Sequence, residues 1–150
     1  MANLIEHKRA HYDFELLEQY EAGVQLFGGE VKSLRNHQGK LEGGHITVRG
    51  GEAYLIGAEI PVYQPSNKGN NYEPTRNRRL LLTAKELGEL AKYEEERGLT
   101  IVPLSMYNKG RVIKLRLAIG RGKKKVDKRE TIKKRESLRE IARAVKAKLH

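Results

Sequence analysis

The chain has 150 residues, with 30 Lys+Arg against 19 Asp+Glu, a formal net charge of +11 at pH 7, and neither Cys nor Trp. A length of that order makes a single hydrophobic core the expectation. The missing cysteines exclude a disulfide framework, a cysteine-ligated zinc site and a thiol nucleophile, which suits a reducing, cytosol-like compartment. Charges are mixed among the apolar positions of the opening residues, and no stretch approaches the roughly 20 apolar residues of a membrane span. A soluble, unprocessed chain with no membrane partner is expected.

The chain opens with Lys8-Arg9 and Tyr12, a basic pair next to an aromatic ring. His7 and His11 are spaced i,i+4, but without a third ligand they read as polar arm residues, and no metal is expected. Val24 to Leu26 reads as strand, Gly28-Gly29 as an interruption, and Glu30 to Arg35 as a short helix whose apolar pair Val31 and Leu34 is spaced three apart. His45 to Arg49 alternates, Gly50-Gly51 breaks the run and Ala53 to Ile56 resumes it, the signature of a β-hairpin with a two-glycine turn. Three prolines, Gly69 and an asparagine cluster make residues 61 to 79 a long irregular excursion. Thr83 with Glu86 forms a capping box for a helix carrying Leu87, Leu90 and Ala91, stopped by Gly98. Leu99 to Val102 and Val112 to Ile119 read as strands joined through a turn at Asn108-Lys109-Gly110, the second placing Ile113, Leu115, Leu117 and Ile119 on one face.

Short strands, glycine turns, a mid-chain helix and no βαβ rhythm give a mainly β fold: a small closed barrel of the oligonucleotide-binding type with about three flanking helices. A domain of residues 1–120 is followed by a tail, 121–150, in which Leu138, Ile141, Ala142, Val145 and Leu149 share one helical face. The tail has few anchors to the body, so it is expected to be mobile when free and to become helical when a partner orders it.

The charge follows that division. Residues 1–120 hold 17 basic and 15 acidic side chains, and the last 30 residues hold 13 and 4. A near-neutral body with a concentrated cationic tail points to a polyanionic partner, because each neutralised phosphate releases counterions. The serines stand in no nucleophile-elbow context, and Gly120 to Lys125 lacks the spacing of a phosphate loop. No enzyme activity and no cofactor are expected. The body carries three basic groups suited to RNA: Lys8-Arg9, Lys32 with Arg35, and Arg76, Arg78 and Arg79. Tyr12, Tyr20, Tyr54, Tyr63, Tyr72 and Tyr107 are available for stacking on bases, although tyrosine in strands is more often core or rim. A general ribosome-associated or single-strand-binding barrel is the alternative reading.

A more specific reading comes from runs distributed over nearly the whole chain: Lys8-Arg9-Ala10, Glu21-Ala22-Gly23, Glu30-Val31-Lys32-Ser33-Leu34-Arg35, Arg76-Asn77-Arg78-Arg79-Leu80-Leu81-Leu82, Gly98 to Leu104, Gly122-Lys123-Lys124 and Asp127-Lys128-Arg129. In content and order they resemble the SmpB family, the SsrA-binding proteins of bacterial trans-translation. The resemblance implies a barrel that binds the tRNA-like domain of transfer-messenger RNA and, with elongation factor Tu in the delivered complex, brings it to stalled ribosomes. A monomer working in the cytoplasm is expected. Glu21, Leu81 and Gly122 stand where the family binds transfer-messenger RNA. A carboxylate is repelled by phosphate, so Glu21 is expected to accept from a base or a 2′-hydroxyl, to orient a neighbouring Arg, or to make a structural hydrogen bond at the Gly23 turn. Leu81 is expected to shape the surface, and Gly122 to supply a flexible joint.

The resemblance also implies that the tail enters the vacant messenger channel of the small subunit near the decoding centre and folds there, with Arg121, Lys123, Lys124, Asp127, Lys128 and Arg129 as the residues at work. The chain departs from the family pattern at His7, Gly29, Gly43-Gly44-His45 and Val126. Val126 stands where an aromatic residue or His is commoner, which shifts the expected stacking role to Tyr12.

Overall fold

A computed structural model describes residues 2–61 and 72–123. Seven strands and three helices occur among them: β1 (Asn3–Glu6), α1 (Ala10–Asp13), β2 (Phe14–Val24), α2 (Gly28–Arg35), β3 (His45–Arg49), β4 (Glu52–Ile56), β5 (Arg78–Leu81), α3 (Ala84–Glu95), β6 (Leu99–Lys109) and β7 (Val112–Gly122). All the pairings are antiparallel. The order β6-β3-β4-β5-β2-β7 closes on itself through β6–β7, and β1 lies outside the ring on β6. The expected closed barrel with flanking helices is therefore the observed architecture.

Closure depends on the two long strands. One edge of β6 pairs with β7 along its length, while the other meets β3 at Ile101 and then β1 from Ser105 to Tyr107. The β6–β7 register shifts between Pro103 and Ser105, where proline has no N–H to give the ladder. The β2–β7 register shifts between Leu16 and Gln19. Such bulges bend strands and increase their twist, as a narrow barrel requires. Alternation on β7 sends Leu115, Leu117 and Ile119 into the interior, each at 0% exposure, against Leu41, Leu55, Ile60, Ile101 and Met106.

Thr83 caps α3 as its spacing indicates: its Oγ1 accepts from the Glu86 N–H at 3.2 Å, and the Glu86 carboxylate takes the Thr83 N–H at 3.0 Å. Leu90 is buried, and Leu87 and Tyr93 pack beside it. The Glu94 carboxylate accepts the Val48 N–H at 3.0 Å, which ties the end of α3 to β3. The β3–β4 hairpin also forms as read, with Gly50 and Gly51 at φ +58° and +75°, the left-handed pair of a tight hairpin turn.

Four local expectations are corrected. Gly28-Gly29 does not interrupt the chain: the two residues are the first turn of α2, and the preceding Phe27 N–H is held by the Glu30 carboxylate at 2.7 Å. The strand read at Val24 to Leu26 is the end of one that starts at Phe14, and Leu26 lies outside it. The reversal after β6 uses Gly110 and Arg111, while Asn108 and Lys109 remain paired with Ile113 and Val112. Arg78 and Arg79, placed by sequence in the irregular excursion, belong to β5. The rest of that excursion from 62 to 71, and the tail from Lys124 onward, lie outside the described residues.

Candidate nucleic-acid interface

Strand β2 organises the surface because both of its ends carry residues singled out in the sequence. Near its C-terminal end, Glu21 pairs in register with Arg116 of β7, and Gly23 pairs with Leu81 of β5 and Lys114 of β7. A Cβ on Gly23 would lie 3.2 Å from the Leu81 Cβ, so glycine lets the leucine sit tight against the strand. Leu81 is 50% exposed and Val112 is 54% exposed. Together they help line a groove of about 240 Å³ with Val24, Leu26, Val31 and Ile113, edged by Arg111 and Lys114. Arg35 on α2 donates to the Arg111 carbonyl at 3.2 Å, which ties the helix to the same turn. An apolar floor with a cationic edge is suited to an exposed base and its flanking phosphates.

Glu21 is held from two sides. The Tyr107 hydroxyl donates to one carboxylate oxygen, and the Lys109 ammonium donates to the other at 2.8 Å. The hydrogen bonds from Lys109 and Tyr107 keep the carboxyl below its ordinary value against a smaller opposing effect of burial. Tyr107 is pushed up to about 12, by burial first and then by its bond to Glu21. The carboxylate thus makes structural hydrogen bonds, but to β6 and not at the Gly23 turn.

At the other end of β2, Phe14 pairs with Gly122 and Glu15 with Arg121. Lys123 continues the contact: its N–H donates to the Asp13 carbonyl and its ammonium to the His11 carbonyl, both at 2.9 Å. Arg9 lies over the Tyr12 ring at 4.8 Å and 3.7 Å from Asp13. The Lys8 N–H reaches Glu42 at 3.3 Å. Gly122 and Lys123 share a hollow with His7, Asp13, Gly43, Gly44 and His45. Four of the positions singled out as departures, His7, Gly43, Gly44 and His45, therefore lie around Gly122 at the end of β7. A Cβ at Gly122 would meet nothing within 4 Å, so nothing in the body demands glycine there.

Along β7, Arg116 at the Glu21 level and Gly122 are six residues apart, about 20 Å at the rise of a strand. Glu21 and Leu81 are brought together, and Gly122 is not with them.

The basic run before Leu80 divides three ways. Arg78 is removed from the candidate RNA contacts, since it is fully buried. Its guanidinium bonds to the Glu30 carboxylate at 2.9 Å and to the carbonyls of Ala58, Arg76 and Pro74. Arg76 also grips Glu30, at 3.0 Å through its Nε, and lies 4.1 Å over the half-exposed Phe27 ring. Burial opposes the charge on Glu30, yet the hydrogen bonds from Arg76 and the Phe27 N–H and the charge of Arg78 hold its carboxyl below 4.5. Arg79 is on the outer face, 2.9 Å from Glu52. Lys32 is exposed on α2. Lys124, Asp127, Lys128, Arg129 and Val126 lie outside the described residues.

Sequence reasoning offered Tyr107 only as a stacking ring, whereas its hydroxyl donates to Glu21, and it passed over Lys109, Lys114 and Arg116 around that carboxylate and the structural role of Glu30. Four tyrosines, Tyr20, Tyr54, Tyr72 and Tyr107, each donate to a glutamate, Glu89, Glu52, Glu30 and Glu21 respectively, and three of those pairs are far apart in sequence. His7 likewise bonds the Pro103 carbonyl at 2.9 Å. No cluster of metal-ligating residues occurs among the described residues.

Residues 4–147 match the family model described as SmpB protein. The chain belongs to the SmpB family. It is 46% identical over 143 residues to the SsrA-binding protein of Microcystis aeruginosa, covering 95% of this chain and 93% of that protein. The SsrA-binding protein of Mesoplasma florum is 45% identical over 139 residues, covering 93% of each. Among solved structures, a chain of "tmRNA-SmpB: a journey to the center of the bacterial ribosome" aligns with a TM-score of 0.68 at 42% identity, covering 80% of this chain and 84% of that one.

Proposed function

We propose that the protein is an RNA-binding factor of trans-translation: it binds the tRNA-like domain of transfer-messenger RNA and delivers it to ribosomes stalled on incomplete messages. The observation that carries this reading is a match to SsrA-binding proteins over 95% of the chain, with the family's charged runs intact in sequence. The barrel provides shape and fixed cations for a folded RNA. A bond-making role for the protein is not part of the reading; its contribution is to hold an RNA in register.

The work is divided between body and tail. The body carries two RNA-facing surfaces at the ends of β2, one around Glu21, Leu81, Arg35 and the cations of the β6–β7 turn, the other around Lys8, Arg9, Tyr12 and Gly122. Lys32, Arg76 and Arg79 add positive charge outside them. Lys124, Asp127, Lys128 and Arg129 act on the ribosome, where the basic tail occupies an empty messenger channel as a helix. Occupancy sensing follows: a channel lined by RNA accepts the cationic helix only when no message fills it. The delivered complex contains elongation factor Tu and one copy of this chain, and its work on the ribosome places it in the cytoplasm.

Deleting residues 124–150 tests the division and keeps Lys123, whose bonds to α1 belong to the body. The truncated chain should retain affinity for transfer-messenger RNA within about threefold and lose tagging on stalled ribosomes. Loss of both in parallel would favour a general cationic RNA binder.

A further inference from the structure

The exposed Lys109–Glu21 pair would ordinarily be a weak fixture, because a solvent-facing lysine gains little from a single carboxylate. Here the carboxylate has a second, buried attachment. Tyr107 is 2% exposed, and its hydroxyl donates to Glu21 from β6, on the far side of β7. The same hydroxyl oxygen receives Arg116 at 3.4 Å, and the Arg116 guanidinium lies 5.4 Å from the Tyr107 ring centre. Three adjacent strands, β2, β7 and β6, thus meet at one phenol: Glu21 stands opposite Arg116, and Arg116 opposite Ser105, two residues before Tyr107.

We propose that Tyr107 is the positioning residue of the RNA-facing surface near Glu21, fixing the carboxylate that holds Lys109 while its ring and oxygen steady Arg116. The inference rests on the RNA-binding reading above and assigns Glu21 an indirect part in it. A carboxylate facing a polyphosphate is unfavourable as a contact but useful as a bracket. Two long cationic side chains otherwise lose their rotamer freedom when RNA arrives, and fixing them beforehand removes that cost from the binding step. The charge still favours RNA, since Lys109, Lys114 and Arg116 surround one Glu21. Only the hydroxyl distinguishes this arrangement from ordinary aromatic packing, so phenylalanine at 107 separates the two.

The test uses the full chain and measures affinity for a transcript of the tRNA-like domain of transfer-messenger RNA, beside an unstructured RNA of equal length, over a range of salt. Tyr107→Phe should retain the wild-type melting point and weaken binding of the structured RNA about tenfold, while changing the unstructured RNA less than twofold. Its log–log salt slope should fall by about 1, the loss of one fixed phosphate contact. Glu21→Gln, which keeps an acceptor for Tyr107 but loses its hold on Lys109, should show the same selective loss and guards against a folding defect in the first variant. Lys109→Ala and Arg116→Ala serve as direct probes of the surface. If both weaken structured-RNA binding and Tyr107→Phe does not, Tyr107 is packing only and the proposal fails by itself. If neither alanine variant weakens binding, this face does not meet RNA, and the surface reading fails with it.

Discussion

Glu30 and Arg78 show how a charge motif can serve the fold and not the ligand. Both are essentially buried, and the Glu30 carboxylate collects the Phe27 N–H, Arg76, Arg78 and Tyr72. Removing one partner of a buried ion pair leaves the other uncompensated, so Glu30→Gln should cost about 3–5 kcal/mol of unfolding free energy, read by denaturant titration. The group also sets an acid limit. Its folded value is lowered from that of a free carboxyl, so its stabilisation is fully present above the unfolded value and disappears as the pH falls through the folded value. The wild-type melting point should therefore drop across the acid range more steeply than that of Glu30→Gln. Gly122 is the opposite case: a methyl there meets no neighbour in the body. Gly122→Ala should leave stability within about 0.5 kcal/mol; any loss of RNA affinity then reports a close approach by RNA, and a lower melting point would show instead that the glycine serves the fold. From sequence, the basic run Arg76 to Arg79 looked uniform. Which of its members is spent internally depends on Glu30, far away in the chain, and no local pattern carries that information.

At the scale of elements, the features that local chemistry determines were legible. The Thr83–Glu86 box, the Gly50-Gly51 turn and the alternation of β7 each depend on neighbours within a few residues. Thr83→Ala should cost about 1 kcal/mol, measured by thermal unfolding. The features that were not legible depend on tertiary partners. The first half of β2 carries Glu15, Glu18 and Gln19, and its hydrophobics do not alternate cleanly, because part of the strand is an outer wall whose register slips at Leu16 to Gln19. Gly28-Gly29 looked like a break, but α2 is secured by the buried Leu34 and Ser33 and by Glu30 taking the Phe27 N–H. A second tertiary constraint sits at Gly120, where a Cβ would fall 2.9 Å from Val102 Cγ2 and 3.1 Å from Phe14. Gly120→Ala should be destabilising by about 1–3 kcal/mol through overpacking where β6, β7 and β2 meet, again a thermal-unfolding measurement.

For the whole molecule, the sequence identified the class of partner more readily than the place of contact. The uneven charge and the family's runs pointed to RNA, but they listed contacts without distributing them. The barrel separates Glu21 from the Gly122 level by six residues of β7 and seven of β2, buries Arg78 and sets Lys109, Lys114 and Arg116 around Glu21. On the proposed reading, a folded RNA spanning the two ends of β2 would be recognised by spacing, which an unfolded strand does not reproduce. Electrostatics alone would make the salt dependence alike for any RNA: about five or six phosphate contacts give a log–log slope near −5. Discrimination must then come from fixed geometry. The most direct measurement is a competition on the full chain between the tRNA-like domain of transfer-messenger RNA and an unstructured RNA of equal length at physiological salt. Displacement of the unstructured RNA by at least a hundredfold lower concentration of the structured one is predicted; equal displacement would contradict the account.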